Sequence, residues 1–172
     1  MAKFSRGIEI ERKFIIELPD VCALEKMDGY TVSEIVQTYL ASKEGTTRRV
    51  RKRTTLGITR YCETVKTRID KMSVIEDEGE ISAKEYEALL PLMLEGTRPI
   101  VKTRHAFPYC GKTVEIDVYP EWQRSAILEV ELTSRDEEIV LPDFIRIIRE
   151  VTGDRRYSNA GMSREFPSED VI

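Results

Sequence analysis

Charged residues recur in this chain in sets spaced two apart and nearly pure in sign. Glu9, Glu11 and Lys13 open the series. Arg49, Arg51 and Arg53 follow, then Lys66 with Arg68, and Glu76 with Glu78 and Glu80. Lys102 with Arg104, Glu115 with Asp117, and Glu129 with Glu131 complete it. A two-residue period puts each set on one face of a β-strand. Same-sign side chains ~7 Å apart along a strand repel unless opposite charge lies between them. Carboxylate sets suit a hard divalent cation with oxygen ligands. Arginine and lysine sets suit a polyanion, the guanidinium as a planar fork and the ammonium as a point charge. The solvated face of an ordinary antiparallel sheet explains any one such strand. Seven strands with the same habit point instead to one shared charged surface.

Other chemistries are closed off by composition. The single histidine, His105, rules out histidine pairs and a histidine zinc cage, and reads as a strand-end surface residue. Cys22, Cys62 and Cys110 are odd in number and widely spaced, as free thiols in a reducing, cytoplasmic compartment would be. Basic and acidic residues number 27 and 31, for a net charge of −4 and a charged share of 34 %, against about 25 % in a typical globular chain. This balance gives no general basic field for nucleic acid. No apolar run approaches the ~20 residues of a membrane span. Arg6, Glu9, Glu11, Arg12 and Lys13 stand where a signal peptide needs an apolar stretch. The 172 residues are expected to form a single domain, 1–172.

Period-two alternation predicts eight strands: Ile8 to Glu17, Glu34 to Ala41, Thr46 to Arg53, Ile58 to Arg68, Val74 to Ile81, Ile100 to Phe107, Thr113 to Tyr119 and Ala126 to Thr133, with turns at Gly45, Gly57 and Gly111. Ser82-Ala83-Lys84-Glu85 reads as a capping box. The helix it starts carries Tyr86, Leu89, Leu90 and Met93 at helical spacing and is shortened or kinked by Pro91. A second helix is expected from Pro142-Asp143, with Phe144, Ile147, Ile148 and Val151 on its apolar face and Gly153 at its end. A weaker one is expected over Asp20 to Lys26. The class is α+β. If the sheet closes, the charged face becomes a barrel interior; alternation alone leaves closure open.

Glu9-Ile10-Glu11-Arg12-Lys13 resembles the Glu-x-Glu-x-Lys signature of the CYTH superfamily, the triphosphate tunnel metalloenzymes. Gln37-Thr38-Tyr39-Leu40, Arg49-Val50-Arg51, Thr64-Val65-Lys66, Glu78-Gly79-Glu80, Lys102-Thr103-Arg104, Glu115-Ile116-Asp117 and Leu128 to Leu132 fall in the family's order. Glu150-Val151-Thr152-Gly153-Asp154 and Arg156-Tyr157-Ser158-Asn159 are similar to the closing signature of its small bacterial members. The resemblance spans roughly residues 8 to 162. It implies an eight-stranded antiparallel tunnel with a charged interior and helices outside. It also implies a bound triphosphate with one or two Mg2+ or Mn2+ ions, and, more weakly, a homodimer. The activity most in keeping with it is divalent-metal-dependent hydrolysis of inorganic tripolyphosphate. Thiamine triphosphatase, a class IV-type adenylate cyclase and a non-catalytic polyphosphate- or nucleotide-binding module stand as alternatives.

On this reading Lys13, Arg49, Arg51, Lys66, Lys102, Arg104 and Arg156 cradle the phosphates. Glu9, Glu11, Glu129 and Glu131 are the leading metal ligands, with Asp117 close behind. Glu9, Glu11, Lys13 and Glu131 form the catalytic set. Two roles stay open for Glu78 and Glu80, metal ligand or orienting partner for arginine and lysine. Arg53, Arg68 and Glu76 read as rim charges, Trp122 and Tyr119 as packing or rim residues, and Cys62 as a strand filler.

Overall fold

The computed structural model of the chain describes residues 5–172; residues 1–4, which the single-domain expectation includes, lie outside the described residues. All eight expected strands form: β1 (Ser5–Glu17), β2 (Thr31–Leu40), β3 (Thr46–Thr55), β4 (Ile58–Arg68), β5 (Ser73–Ile81), β6 (Ile100–Tyr109), β7 (Lys112–Val118) and β8 (Ser125–Leu132). They lie in the order β5-β4-β3-β2-β6-β7-β8-β1, and every neighbouring pair is antiparallel. The first half of β1 pairs back onto β5, from Ser5↔Glu78 to Ile10↔Ser73, and closes the barrel. Two hairpins turn on Leu56-Gly57 and Cys110-Gly111. All four of these residues have positive φ, the two-residue geometry whose twist matches the flanking strands.

Alternation sends the charged sets inward and the apolar sets outward. Outside, Phe14, Ile16, Ile116, Leu128 and Val130 form a core covered by Leu24 of a short helix, α1 (Val21–Leu24), together with Met27, Tyr30, Ile139, Leu141 and Ile145. A second helix, α2 (Ala83–Leu89), starts with the expected capping box between Ser82 and Glu85 and lays Tyr86 on Leu40 and Val50. It tightens into a 3₁₀ turn at Leu90–Leu92, where Pro91 sits. His105 faces this outer side, buried and stacked on Tyr30, with Nδ1 2.8 Å from the Tyr30 hydroxyl. It is therefore a packed outer-face residue rather than a surface one.

The helix expected from Pro142 does not form. Residues Ile147–Glu150 make a ninth strand, β9, paired with β1 from Phe14↔Glu150. The cause is an edge. Pairing with β5 ends at Ile10, so the rest of that side of β1 has free backbone groups, and these must be satisfied. The β-branched pair Ile147-Ile148 suits a strand, and its helical spacing with Phe144 is overruled. All three residues stay partly exposed.

One end of the interior is apolar. Ile15, Ile100, Tyr119 and Ile127 continue the inward faces of β1, β6, β7 and β8 and pack with Trp122, Val151, Tyr157 and Met162. Met162 belongs to α3 (Asn159–Arg164), a helix the sequence analysis did not foresee. Tyr119 donates to Asn159 Oδ1 at 3.0 Å, and Trp122 Nε1 to the Pro167 carbonyl at 2.9 Å. The C-terminal segment is thus a stopper in the barrel. Gly161 lets it seat: a Cβ there would lie 1.9 Å from the Arg155 carbonyl oxygen. Met162→Ala should cost about 2–5 kcal/mol of stability, as large-to-small core changes do. Gly161→Ala should lower the thermal midpoint by forcing α3 off Arg155. Chemical and thermal unfolding of the two variants check both expectations.

Candidate active site

The barrel encloses a cavity of about 910 Å³ lined by charged residues of β1, β3, β4, β5, β6, β7 and β8 and by the C-terminal segment. The strand order divides its wall by sign. Neighbouring strands β7, β8, β1 and β5 carry Glu115, Asp117, Glu129, Glu131, Glu11, Glu9, Glu76 and Glu78. Facing them, β4, β3 and β6 carry Lys66, Arg68, Arg49, Arg51, Arg53, Lys102 and Arg104, with β2, whose inward face bears no charge, between β3 and β6. Lys13 is the cation within the acidic half.

Register pairs the two signs where the halves meet, at β6–β7 and β4–β5, and again at Lys13 inside the acidic half. Arg104 lies opposite Asp117, Lys13 opposite Glu129, and Lys66 opposite Glu76. Arg104 forms a fork with Asp117 at 2.6 and 2.7 Å, donates to Glu129 Oε2 at 2.7 Å and contacts Glu115. The other Glu129 oxygen takes Lys13 Nζ at 2.7 Å. Lys102 Nζ donates to Asp117 at 2.5 Å. Across the barrel Lys66 bridges Glu9 at 2.5 Å and Glu76 at 3.3 Å, and Arg49 reaches Glu76 at 3.3 Å.

These contacts sort the carboxylates. Burial opposes charge on Glu129 and Asp117, but Lys13, Arg104 and Lys102 outweigh it for Glu129, as Arg104 and Lys102 do for Asp117. Glu129 is held well below the usual carboxylate range, and Asp117 is lowered too. Glu11, Glu115 and Glu131 shift the other way. Burial raises Glu11, and Glu129 and Glu9 add to it against Lys13. Burial raises Glu115 in spite of Arg104. Burial raises Glu131, with Glu115, Glu9 and Glu11 reinforcing it. Among the cations, burial pulls Lys13 down, yet Glu129 and Glu11 reverse this and raise it. Lys102 falls to about 8, through burial and the charge of Arg104. Burial, Arg49 and Arg104 lower Arg51. Among the described residues Arg51 has no ion pair; its Nε donates to Gln37 at 3.4 Å.

The cavity wall brings together Glu9, Glu11, Lys13, Arg49, Arg51, Lys66, Arg104, Glu129 and Glu131 of the sequence-derived set. Asp117 and Lys102 sit behind it. Lys102 is 1 % exposed and bound to Asp117, whose two oxygens are already engaged by Arg104 and Lys102. Arg156 is not at the cavity. The Asp154 cap of its 3₁₀ turn draws its guanidinium outward into an exposed pair at 2.7 Å, stacked on Tyr157. Arg155 and Arg164 line the cavity in its place. The doublet rule missed them because neither is on a strand. Glu76 lies inside the ion-pair network, away from any rim role, while Arg53 and Arg68 line the wall. Glu78 accepts from Thr64 at 2.7 Å and also lines the cavity.

Carboxylate oxygens are the only plentiful metal donors here. Among the described residues no three or more acidic, histidine or cysteine side chains converge on one point. That arrangement fits Mg2+, which usually takes one or two carboxylates and completes its shell with water and substrate phosphate.

Opposite shifts give stability a two-sided pH dependence in metal-free protein. Glu11, Glu115 and Glu131 bind protons more tightly when folded, so stability should rise as pH falls from 7 toward 4.5. Glu129 and Asp117 bind protons less tightly when folded, so stability should be lost below about pH 4 as they protonate. Melting temperatures from pH 3 to 8 with and without Mg2+ check this. A cation shared by the raised carboxylates should flatten the limb above pH 4.5.

Comparison with known proteins agrees with this geometry. The chain is 33 % identical over 158 residues to an inorganic triphosphatase of Acetivibrio thermocellus, covering 91 % of this chain and 93 % of that protein. A solved structure of an inorganic triphosphatase aligns with a TM-score of 0.59 at 28 % identity, over 93 % of this chain and 97 % of the other. A Pyrococcus horikoshii protein shares the fold at 22 % identity and a TM-score of 0.56, over 74 % of this chain and 80 % of its own. The CYTH domain matches residues 7–164. The chain, with its closed barrel and two-signed interior, belongs to the CYTH domain family.

Proposed function

We propose that the chain hydrolyses inorganic tripolyphosphate to pyrophosphate and phosphate, with Mg2+ or Mn2+ as cofactor. The observation that carries this reading is the division of the barrel's cavity into a basic and an acidic half. A linear polyanion would suit the first half, and carboxylates of the second would hold a divalent cation that neutralises part of its charge. The names of the relatives support the same reaction. Water adds across one P–O–P bridge, so positioning and charge neutralisation supply most of the catalysis.

Arg49, Arg51, Lys66 and Arg104 form the cradle, with Lys13 reaching in from the acidic side. Glu9, Glu11 and Glu131, all members with Lys13 of the catalytic set, are the carboxylates from which one or two at a time would hold a metal, with water and phosphate oxygens completing its shell. Bound there, the metal would neutralise phosphate charge and acidify the attacking water. Glu129 and Asp117, placed by sequence among the ligands, are better used holding Lys13, Arg104 and Lys102. The reading takes 1–172 as one catalytic domain acting on a small-molecule triphosphate. A cytoplasmic setting is supported by Cys22, Cys62 and Cys110, all free. Among the described residues no helix is long and apolar enough to cross a membrane.

Phosphate release from tripolyphosphate, thiamine triphosphate and ATP, with a parallel cyclic-AMP assay, tests the function. Tripolyphosphate should be the best substrate, and excess EDTA should abolish turnover. Dominant cyclic-AMP formation from ATP would replace the hydrolase reading. Glu11→Gln and Glu131→Gln should each lower kcat by about 100-fold or more, the scale of losing one aligned charge-stabilising group. Arg51→Ala should act mainly on KM, by about 10- to 100-fold for a charge-assisted hydrogen bond. Steady-state kinetics at saturating Mg2+ separates the two effects.

A further inference from the structure

Gln37 and Tyr39 share the inward face of β2, which bears no charge, within the basic half. Gln37 is 0 % exposed. Its carbonyl oxygen accepts from Arg49 Nη1 at 3.0 Å and from Arg51 Nε at 3.4 Å, and its amide nitrogen lies 2.9 Å from the Tyr39 hydroxyl. A guanidinium can only donate, so the carbonyl end of Gln37 must face the arginines. The amide nitrogen therefore faces Tyr39, and since it too can only donate, the phenol oxygen accepts. The hydrogen of that phenol must then go to another acceptor. Among the described residues none takes it. Tyr39 lines the cavity and stands opposite Arg49 across the β2–β3 ladder.

We propose that Tyr39 is a further substrate-contacting residue, its hydroxyl donating to a phosphate oxygen, and that Gln37 is the positioning residue that turns it toward the cavity. The inference rests on the triphosphate reading above. It explains why a neutral amide sits between two arginine rows. An amide is polar in both directions: its carbonyl accepts from two guanidiniums, and its nitrogen makes the tyrosine an acceptor. A carboxylate in its place would hold the arginines equally well, but it would take the phenol hydrogen for itself and withdraw it from the ligand.

That difference supplies the test. Tripolyphosphate binding is measured by calorimetry without divalent metal on the wild type, Tyr39→Phe, Gln37→Glu and the double variant, with the melting temperature of each unliganded protein. Tyr39→Phe should stay folded with a somewhat lower melting temperature, because the buried Gln37 amide loses its acceptor, and should weaken binding about 10-fold, the loss of one hydrogen bond to a charged group. In the Gln37→Glu background the same change should cost less than about twofold, because the hydroxyl has already turned away. If Gln37→Glu does not fold, the comparison of Tyr39→Phe with the wild type carries the test on its own. A Tyr39→Phe variant that binds as the wild type does would overturn the proposal, as would equal losses in both backgrounds, and either result leaves the triphosphatase reading standing. A wild type that hydrolyses no triphosphate and binds no tripolyphosphate would remove both.

Discussion

Glu129 takes Lys13 on one oxygen and Arg104 on the other, both at 2.7 Å, and the rest of the interior is organised around keeping that buried carboxylate paired. A carboxylate away from water is strongly unfavourable unless it is paired and hydrogen-bonded. Arg104 in turn is shared with Asp117 and Glu115, and Asp117 with Lys102. The result is a fixed, mutually neutralised wedge spanning β1, β6, β7 and β8. It anchors one side of the barrel and aims Lys13 and Arg104 at the cavity.

The charges left over are the ones free to act. Burial raises Glu11 and Glu131, and neighbouring carboxylates add to the shift. Arg51 is lowered by burial first and then by neighbours of its own sign, Arg49 and Arg104. The empty cavity therefore holds unresolved repulsion of both signs on opposite walls. A cation relieves one wall and a polyanion the other, so a metal–phosphate pair relieves both. Structural and reactive charges come from the same sequence doublets, and their neighbours separate them: Glu129 has two cationic contacts where Glu131, two residues on, has none among the described residues.

The same barrel must stay closed at one end for this field to persist. Inward-facing Ile15, Ile100, Tyr119 and Ile127 change the lining from charged to apolar along the same strands, and the C-terminal segment seals against them. Water is thereby kept from one side of the ion-pair wedge, and lower solvent screening strengthens its contacts. β9 contributes by satisfying the edge of β1 that β5 abandons, and it leads into the turn that carries Arg155 and Asp154.

Alternation in the sequence determined the eight strands, the face on which each charge lies and most of the cavity wall, because a period of two follows from strand geometry alone. Gly57 and Gly111 marked turns because positive φ is easiest for glycine. Only the tertiary structure decided closure, and with it which doublets meet. Register across β1, β8, β7 and β6 turned Glu129 and Asp117 into ion-pair partners of Lys13, Lys102 and Arg104. It also sank Lys102 out of reach. The helical spacing of Phe144, Ile147, Ile148 and Val151 was a genuine local signal, defeated by the unpaired edge of β1. Arg156 sat in a recognisable motif, yet a local Asp154 cap turned it outward; Arg155 reached the cavity from the same 3₁₀ turn and Arg164 from a helix that no periodicity announced. Local pattern sets which side of a strand a residue occupies; which charges become neighbours depends on strand order and register, and those are properties of the closed barrel.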